Sequence, residues 1–161
     1  MAEKRTKKQR AAIAAVAATL LAAPAEGVRQ VVYYDPPGIP TVCFGHTGAD
    51  VDKSKVYSLD ECKALLDADM LKAVSQVDAC RPGLPDSVLI AFSDAAFNMG
   101  PTIACNSAKS TAARLLDAGD YAAACRQLPR WNKAKIAGVY VALPGLTKRR
   151  NLDMDHCLGG L

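Results

Sequence analysis

Residues 26–48 read Glu26-Gly27-Val28-Arg29-Gln30-Val31-Val32-Tyr33-Tyr34-Asp35-Pro36-Pro37-Gly38-Ile39-Pro40-Thr41-Val42-Cys43-Phe44-Gly45-His46-Thr47-Gly48. Val, Tyr, Ile and Thr surround Asp35-Pro36-Pro37-Gly38, which predicts a short hairpin over 28–44 with its turn at the prolines. Three groups with chemistry then lie close together: Glu26 before the hairpin, Asp35 in its turn and Thr41 on the returning strand. Hydrolysis of a glycosidic bond needs one protonated carboxyl for the leaving oxygen and a second carboxylate to position water or steady positive charge. A helix end facing a hairpin supplies both. A Glu and an Asp nine residues apart also fit two solvated surface acids, so spacing alone does not separate the two readings.

Upstream, residues 1–10 hold Lys4, Arg5, Lys7, Lys8 and Arg10 against Glu3, and residues 11–25 are uncharged, with Ala at nine of fifteen positions. A basic stretch followed by an apolar one has the form of an export signal. Alanine makes it a weak membrane span that is able to leave the bilayer. Ala23-Pro24-Ala25 also reads as a cleavage site, but cleavage there would make Glu26 the new N-terminus and delete the helix that holds it. An uncleaved segment is therefore the expectation. The same composition also suits the first helix of a protein that never meets a membrane.

Downstream, Ser58-Leu59-Asp60-Glu61 is a capping-box pattern, and Leu59, Cys62, Leu66, Met70, Ala73 and Val77 recur at helical spacing up to Arg81-Pro82-Gly83. A second apolar helix runs from after Pro85 to Asn98, stopped by Gly100-Pro101. Shorter helical patterns cover 110–118, 121–128 behind Asp120, and 145–158 before Gly159-Gly160. The predicted class is α+β, mostly helical, in which a small antiparallel hairpin lobe and a helical lobe flank a cleft and are joined by helix 58–79. With 161 residues, one catalytic domain at 26–161 and an N-terminal appendage at 1–25 are expected.

The net charge of +4 is carried entirely by residues 1–10. Within the neutral remainder, 50–94 hold nine acidic and five basic side chains, and 101–161 hold nine basic and four acidic. A basic second half suits attraction to an anionic polymer, and a solvated helical surface explains it equally well. Six cysteines are dispersed without a CxxC pair and accompany only two histidines, which disfavours zinc and suits disulfides in an oxidising compartment.

Glu26-Gly27-Val28-Arg29, Tyr34-Asp35 and Thr41-Val42-Cys43-Phe44-Gly45-His46-Thr47-Gly48 resemble the active-site signature of the phage-type lysozymes, glycoside hydrolase family 24. Within that family the sequence is similar to lambdoid signal-arrest-release endolysins. The likeness continues through Glu61-Cys62-Lys63-Ala64-Leu65-Leu66, Asn98-Met99-Gly100, Ala124-Cys125-Arg126-Gln127-Leu128, Arg130-Trp131, Gly145-Leu146 and Arg149-Arg150. It implies a lysozyme-like fold and cleavage of the β-1,4 link between N-acetylmuramic acid and N-acetylglucosamine of peptidoglycan, for host-cell lysis. Glu26 is implied as general acid, with Asp35 and Thr41 positioning water and the anomeric carbon inverted. No cofactor, metal or nucleic acid is implied. A monomer is expected, exported to the periplasm of a Gram-negative host and first tethered to the inner membrane through residues 11–25. The sequence departs from the pattern at Pro36-Pro37, Phe44 and Asn151. By the same resemblance Cys43, Cys62, Cys125 and Cys157 occupy shared positions, Cys80 and Cys105 are additional, and the expected pairs are 43–62, 80–105 and 125–157.

Other residues take simpler expectations. His46, in a glycine-flanked turn, is expected to tie the hairpin to the helical lobe by hydrogen bonds. A Cys43–His46 peptidase dyad is disfavoured because the spacing is short and no third orienting residue is evident. Trp131 and Tyr121 are left outside the site, and Arg149 and Arg150 are read either as wall contacts or as charges at the last helix end. Two other functions stay open: a non-catalytic peptidoglycan-binding protein on the same fold, and a lytic transglycosylase, against which Asp35 and Thr41 argue because it uses no water.

Overall fold

The computed structural model describes residues 3–161. Helix α1 (Lys7–Ala17) opens on a capping box in which the Thr6 side chain accepts from the Gln9 N–H and the Gln9 side chain accepts from the Thr6 N–H. The chain continues through a π-helical turn (Ala18–Ala22) into α2 (Ala23–Glu26). Pro24 lies just inside α2, where its ring crowds the carbonyl four residues back and donates no N–H; the wider turn accommodates it. Gly27, at φ 63°, ends the run.

The expected hairpin follows as β1 (Arg29–Tyr34) and β2 (Pro40–Cys43), antiparallel, pairing Tyr33 with Thr41 and Tyr34 with Pro40. The register slips between Arg29 and Tyr33, a bulge that bends the strand. Helix α3 (Leu59–Cys80) starts at the predicted Ser58–Glu61 capping box. Helix α4 (Asp86–Met99) is central: every residue from Val88 to Ala96 is buried. Short helices α5 (Thr102–Cys105), α6 (Thr111–Asp117) and α7 (Tyr121–Cys125) follow, then a 3-10 turn at Leu128–Arg130 and the final helix α8 (Pro144–Gly159).

Two features depart from the sequence reading. Residues 131–144, to which the sequence pattern assigned no element, form a second hairpin, β3 (Lys133–Ile136) with β4 (Val139–Ala142). Its two-residue turn has Ala137 at φ 48° and Gly138 at φ 83°, the backbone twist that tight hairpins select. The helix expected over 121–128 stops at Cys125, because Pro129 cannot supply the N–H that further α-helix requires.

One core holds the helical lobe, with Ile13, Ala17 and Leu21 of the N-terminal run packed among Met70 and Val74 of α3 and Phe92 of α4. A smaller cluster of Val42, Cys43, Tyr57 and Cys62 lies under the first hairpin. All three expected disulfides are present. Cys43–Cys62 fastens the hairpin lobe to α3, Cys80–Cys105 joins α3 to α5, and Cys125–Cys157 joins α7 to α8. Closing loops of 19, 25 and 32 residues stabilises the fold by about 3–4 kcal/mol each on chain-entropy grounds.

Candidate active site

A cleft of about 740 Å³ lies between the lobes and is lined by Glu26, Asp35 and Thr41 together. Tyr33, Trp131 and Tyr140 supply aromatic wall around them. The three residues predicted from sequence thus meet in one cavity, reaching it from a helix end, a hairpin turn and a strand. Trp131, left out in the sequence reading, belongs to this wall; Tyr121 instead lines a separate depression beside Arg81 and Leu116.

Each side chain is fixed locally. The Asp35 carboxylate accepts from the Ile39 N–H at 2.8 Å, while the Asp35 N–H donates to the Ile39 carbonyl at 3.1 Å, so the Pro36-Pro37 turn closes around it. Thr41 is buried, and its hydroxyl donates to the Ile39 carbonyl at 2.9 Å, leaving the oxygen free to accept. Glu26 rests against Gly45, where a Cβ would stand 3.0 Å from Oε2 and 3.1 Å from Cδ. Gly45 has φ 80°, in a turn closed by reciprocal Val42–His46 backbone hydrogen bonds of 3.0 and 2.8 Å. Only glycine combines that conformation with that approach. Burial raises the Tyr33 hydroxyl above its ordinary pKa, and the nearby Glu26 charge adds to the effect.

The other Glu26 contact comes from α8. Arg149 Nη1 donates to Glu26 Oε1, while Arg149 Nε and Nη2 bind Asp94 of α4 at 2.9 and 2.8 Å. Arg149 and Arg150 are both buried, so neither touches a polymer outside nor caps a helix end; the sequence expectation for them is corrected. The reason is Asp94, a carboxylate fully inside α4, which draws both guanidinium groups inward.

His46 performs the expected tie: Nδ1 lies 2.6 Å from Asp69 of α3 and Nε2 lies 3.0 Å from Asp50. Burial opposes a charged ring, but hydrogen bonds and charge from Asp69 and Asp50 outweigh it and raise the pKa. Among the described residues, no group of three or more His, Cys, Asp or Glu side chains is arranged to hold a metal ion.

The chain is similar to known proteins along nearly its whole length. The family model described as phage lysozyme matches residues 23–153. A SAR-endolysin of Bacteriophage PS119 is 37% identical over 152 residues, covering 91% of this chain and 87% of the relative. Among solved structures, an endolysin from Escherichia coli O157:H7 phage FAHEc1 superimposes with a TM-score of 0.78 at 22% identity, covering 100% of this chain and 98% of that one. The active form of P1 phage endolysin Lyz gives 0.76 at 24% identity, over 99% of this chain and 97% of the other. The chain belongs to the phage lysozyme family, and its place there is among the endolysins.

Proposed function

We propose that the chain hydrolyses the β-1,4 bond between N-acetylmuramic acid and N-acetylglucosamine, with Glu26 as general acid and Asp35 and Thr41 positioning the water. Glu26 gives its proton to the glycosidic oxygen as the bond from C1 to that oxygen breaks, the electron pair leaving with the oxygen. Water held by Asp35 and Thr41 attacks C1 from the opposite face and passes a proton to Asp35, so one water is consumed and the anomeric carbon inverts. No cofactor enters these steps. The supporting observation is the convergence of Glu26, Asp35 and Thr41 on one cleft.

The same reading gives residues 1–25 a second life as a releasable anchor ahead of the catalytic domain at 26–161. A surface helix normally carries charge on its open side. Here Ala11, Ala12, Ala15, Val16, Thr19 and Leu20 are exposed, and none is charged, which suits a helix that has also faced lipid. No helix among the described residues is long and apolar enough to cross a membrane. In this reading the segment is a marginal span, held at the inner membrane after export and active against peptidoglycan once it joins the core and brings Glu26 to the cleft.

Mass spectrometry of purified peptidoglycan digested by wild type and Glu26→Gln tests the chemistry. Reducing muramic-acid ends from wild type, absent with the variant, are expected. Anhydro ends would mark a transglycosylase, and no cleavage by either protein a binding protein.

A further inference from the structure

The β3–β4 hairpin borders the cleft, yet none of its residues enters the hydrolytic steps. Its base is fixed. The Leu143 N–H donates to the Asn132 carbonyl at 3.0 Å, the Asn132 side chain donates to the Thr147 hydroxyl of α8 at 2.9 Å, and Trp131 packs against the core. Beyond that base every residue of β4 is exposed, Val139, Tyr140 and Val141 included. An open strand of that composition is a liability unless it is guarded or put to use.

Strand alternation sorts the side chains. The register pairs Lys133 with Ala142 and Lys135 with Tyr140, so Lys133, Lys135 and Tyr140 share one face. Ala134, Ile136, Val139 and Val141 share the other. Lys135 Nζ stands 5.9 Å from the centre of the Tyr140 ring. Lys133 and Tyr140 line the cleft in company with Glu26 and Asp35, with Ala134 at the hairpin's base, so the lysine face borders the path of the substrate. Among the described residues, no carboxylate lies within ion-pair distance of either lysine.

The sugar backbone of peptidoglycan offers two cations nothing to pair with. Its N-acetylmuramic acid carries, through the lactyl ether, a stem peptide with free carboxylates, attached to the same ring whose C1 bond is cut. We propose that the lysine face of the β3–β4 hairpin binds this stem peptide, Lys133 and Lys135 holding its carboxylates and the Tyr140 ring covering its apolar part. The proposal rests on peptidoglycan being the substrate, and it assigns the part of that polymer the hairpin reads. Both lysines are exposed, so the pairs are modest and screened by salt. Peptide-bearing glycan is therefore favoured by about threefold to tenfold at low salt, and by less as salt rises.

Calorimetric titration of the full chain tests this with two soluble probes. One is the N-acetylglucosamine–N-acetylmuramic acid disaccharide bearing a tetrapeptide, the other the same disaccharide with its lactyl carboxyl capped as the methyl amide. Wild type is expected to bind the first about threefold to tenfold more tightly, a preference lost at about 1 M salt. Lys133→Gln with Lys135→Gln is expected to remove the preference at low salt and leave the capped probe unaffected, Lys133→Arg with Lys135→Arg to keep it, and Tyr140→Ala to weaken only the peptide-bearing probe. Equal binding of the two probes by wild type, failure to bind either, or a preference that survives the glutamines or high salt would overturn the proposal. Binding to phosphatidylglycerol vesicles that the glutamines abolish, with no preference between probes, would overturn it in favour of a lipid contact. No step here needs cleavage, so a binding preference in a chain that hydrolyses nothing would sink the reaction and leave the peptide site standing.

Discussion

Both ends of the helical run from residue 7 to residue 26 are pinned by arginine–carboxylate contacts, but water reaches the first more than the second. Before α1, Arg5 binds Asp78 at 2.9 Å and Asp86 at 2.7 Å, and Arg10 lies 3.8 Å from Asp78. Asp86 there is 73% exposed, so water shares the work of solvating the charges. At the Glu26 end, Arg149 and Asp94 are 5% and 0% exposed, and their charges must be answered by protein. The first cluster is a fastening, the second an electrostatic environment for the proposed acid. Ion pairs with the same chemistry therefore carry different consequences according to how much water reaches them.

The largest effect should come from the proposed acid itself. Glu26→Gln is expected to reduce hydrolysis by about 10²–10⁴-fold with little change in Tm, measured by turbidity loss of peptidoglycan suspensions. Equal losses of Tm and activity would instead make Glu26 a structural residue. Next, Arg149→Met leaves Asp94 buried without its main partner and should lower stability by about 3–5 kcal/mol in urea titration. Gly45→Ala places a methyl 3.0 Å from Glu26 Oε2 at a positive φ; about 1–2 kcal/mol of stability and a large part of kcat should be lost.

Elements set by neighbours in the sequence were legible without coordinates: the Ser58–Glu61 box, the Pro36-Pro37 turn and the stop at Gly100-Pro101 each need only a few adjacent residues. Glu26, Asp35 and Thr41 were legible because they fall within one short stretch that resembles a known signature. Arg149 was not, since it meets Glu26 from 123 residues away and no local pattern distinguishes a buried arginine from a solvated one. Asp94 was hidden in a similar way inside an apolar helix. The β3–β4 hairpin did leave a signal, the alternation in Lys133-Ala134-Lys135-Ile136 followed by Ala137-Gly138 and Val139-Tyr140-Val141. Trp131 stands just before it, and placing that hairpin sets the tryptophan, packed against the core, on the cleft wall.

Smaller effects sharpen the contrast. His46 has a pKa raised by Asp69 and Asp50 despite burial, so its contribution is complete below the unfolded value of 6.5 and is lost as pH rises through the folded one. Calorimetry from about pH 6 to about pH 9 should show wild type losing more Tm than His46→Gln. A parallel decline would remove the ion pairs from the account. Arg5→Ala should cost about 1 kcal/mol, because Arg10 remains beside Asp78 and solvent covers Asp86. A loss as large as that of Arg149→Met would erase the distinction between the two ends.

The central claim is that Glu26 acts only when the run from residue 7 to residue 26 is packed against α3 and α4. Ala12→Leu, Ala15→Leu and Thr19→Leu together lie on its exposed side, so they strengthen the anchor without disturbing the core. The direct measurement is peptidoglycan hydrolysis in cells expressing this triple variant, with membrane retention followed by fractionation. Retained protein that leaves the wall intact, alongside wild type that degrades it, is the predicted result. Retained protein that degrades the wall as fast as wild type would contradict the account.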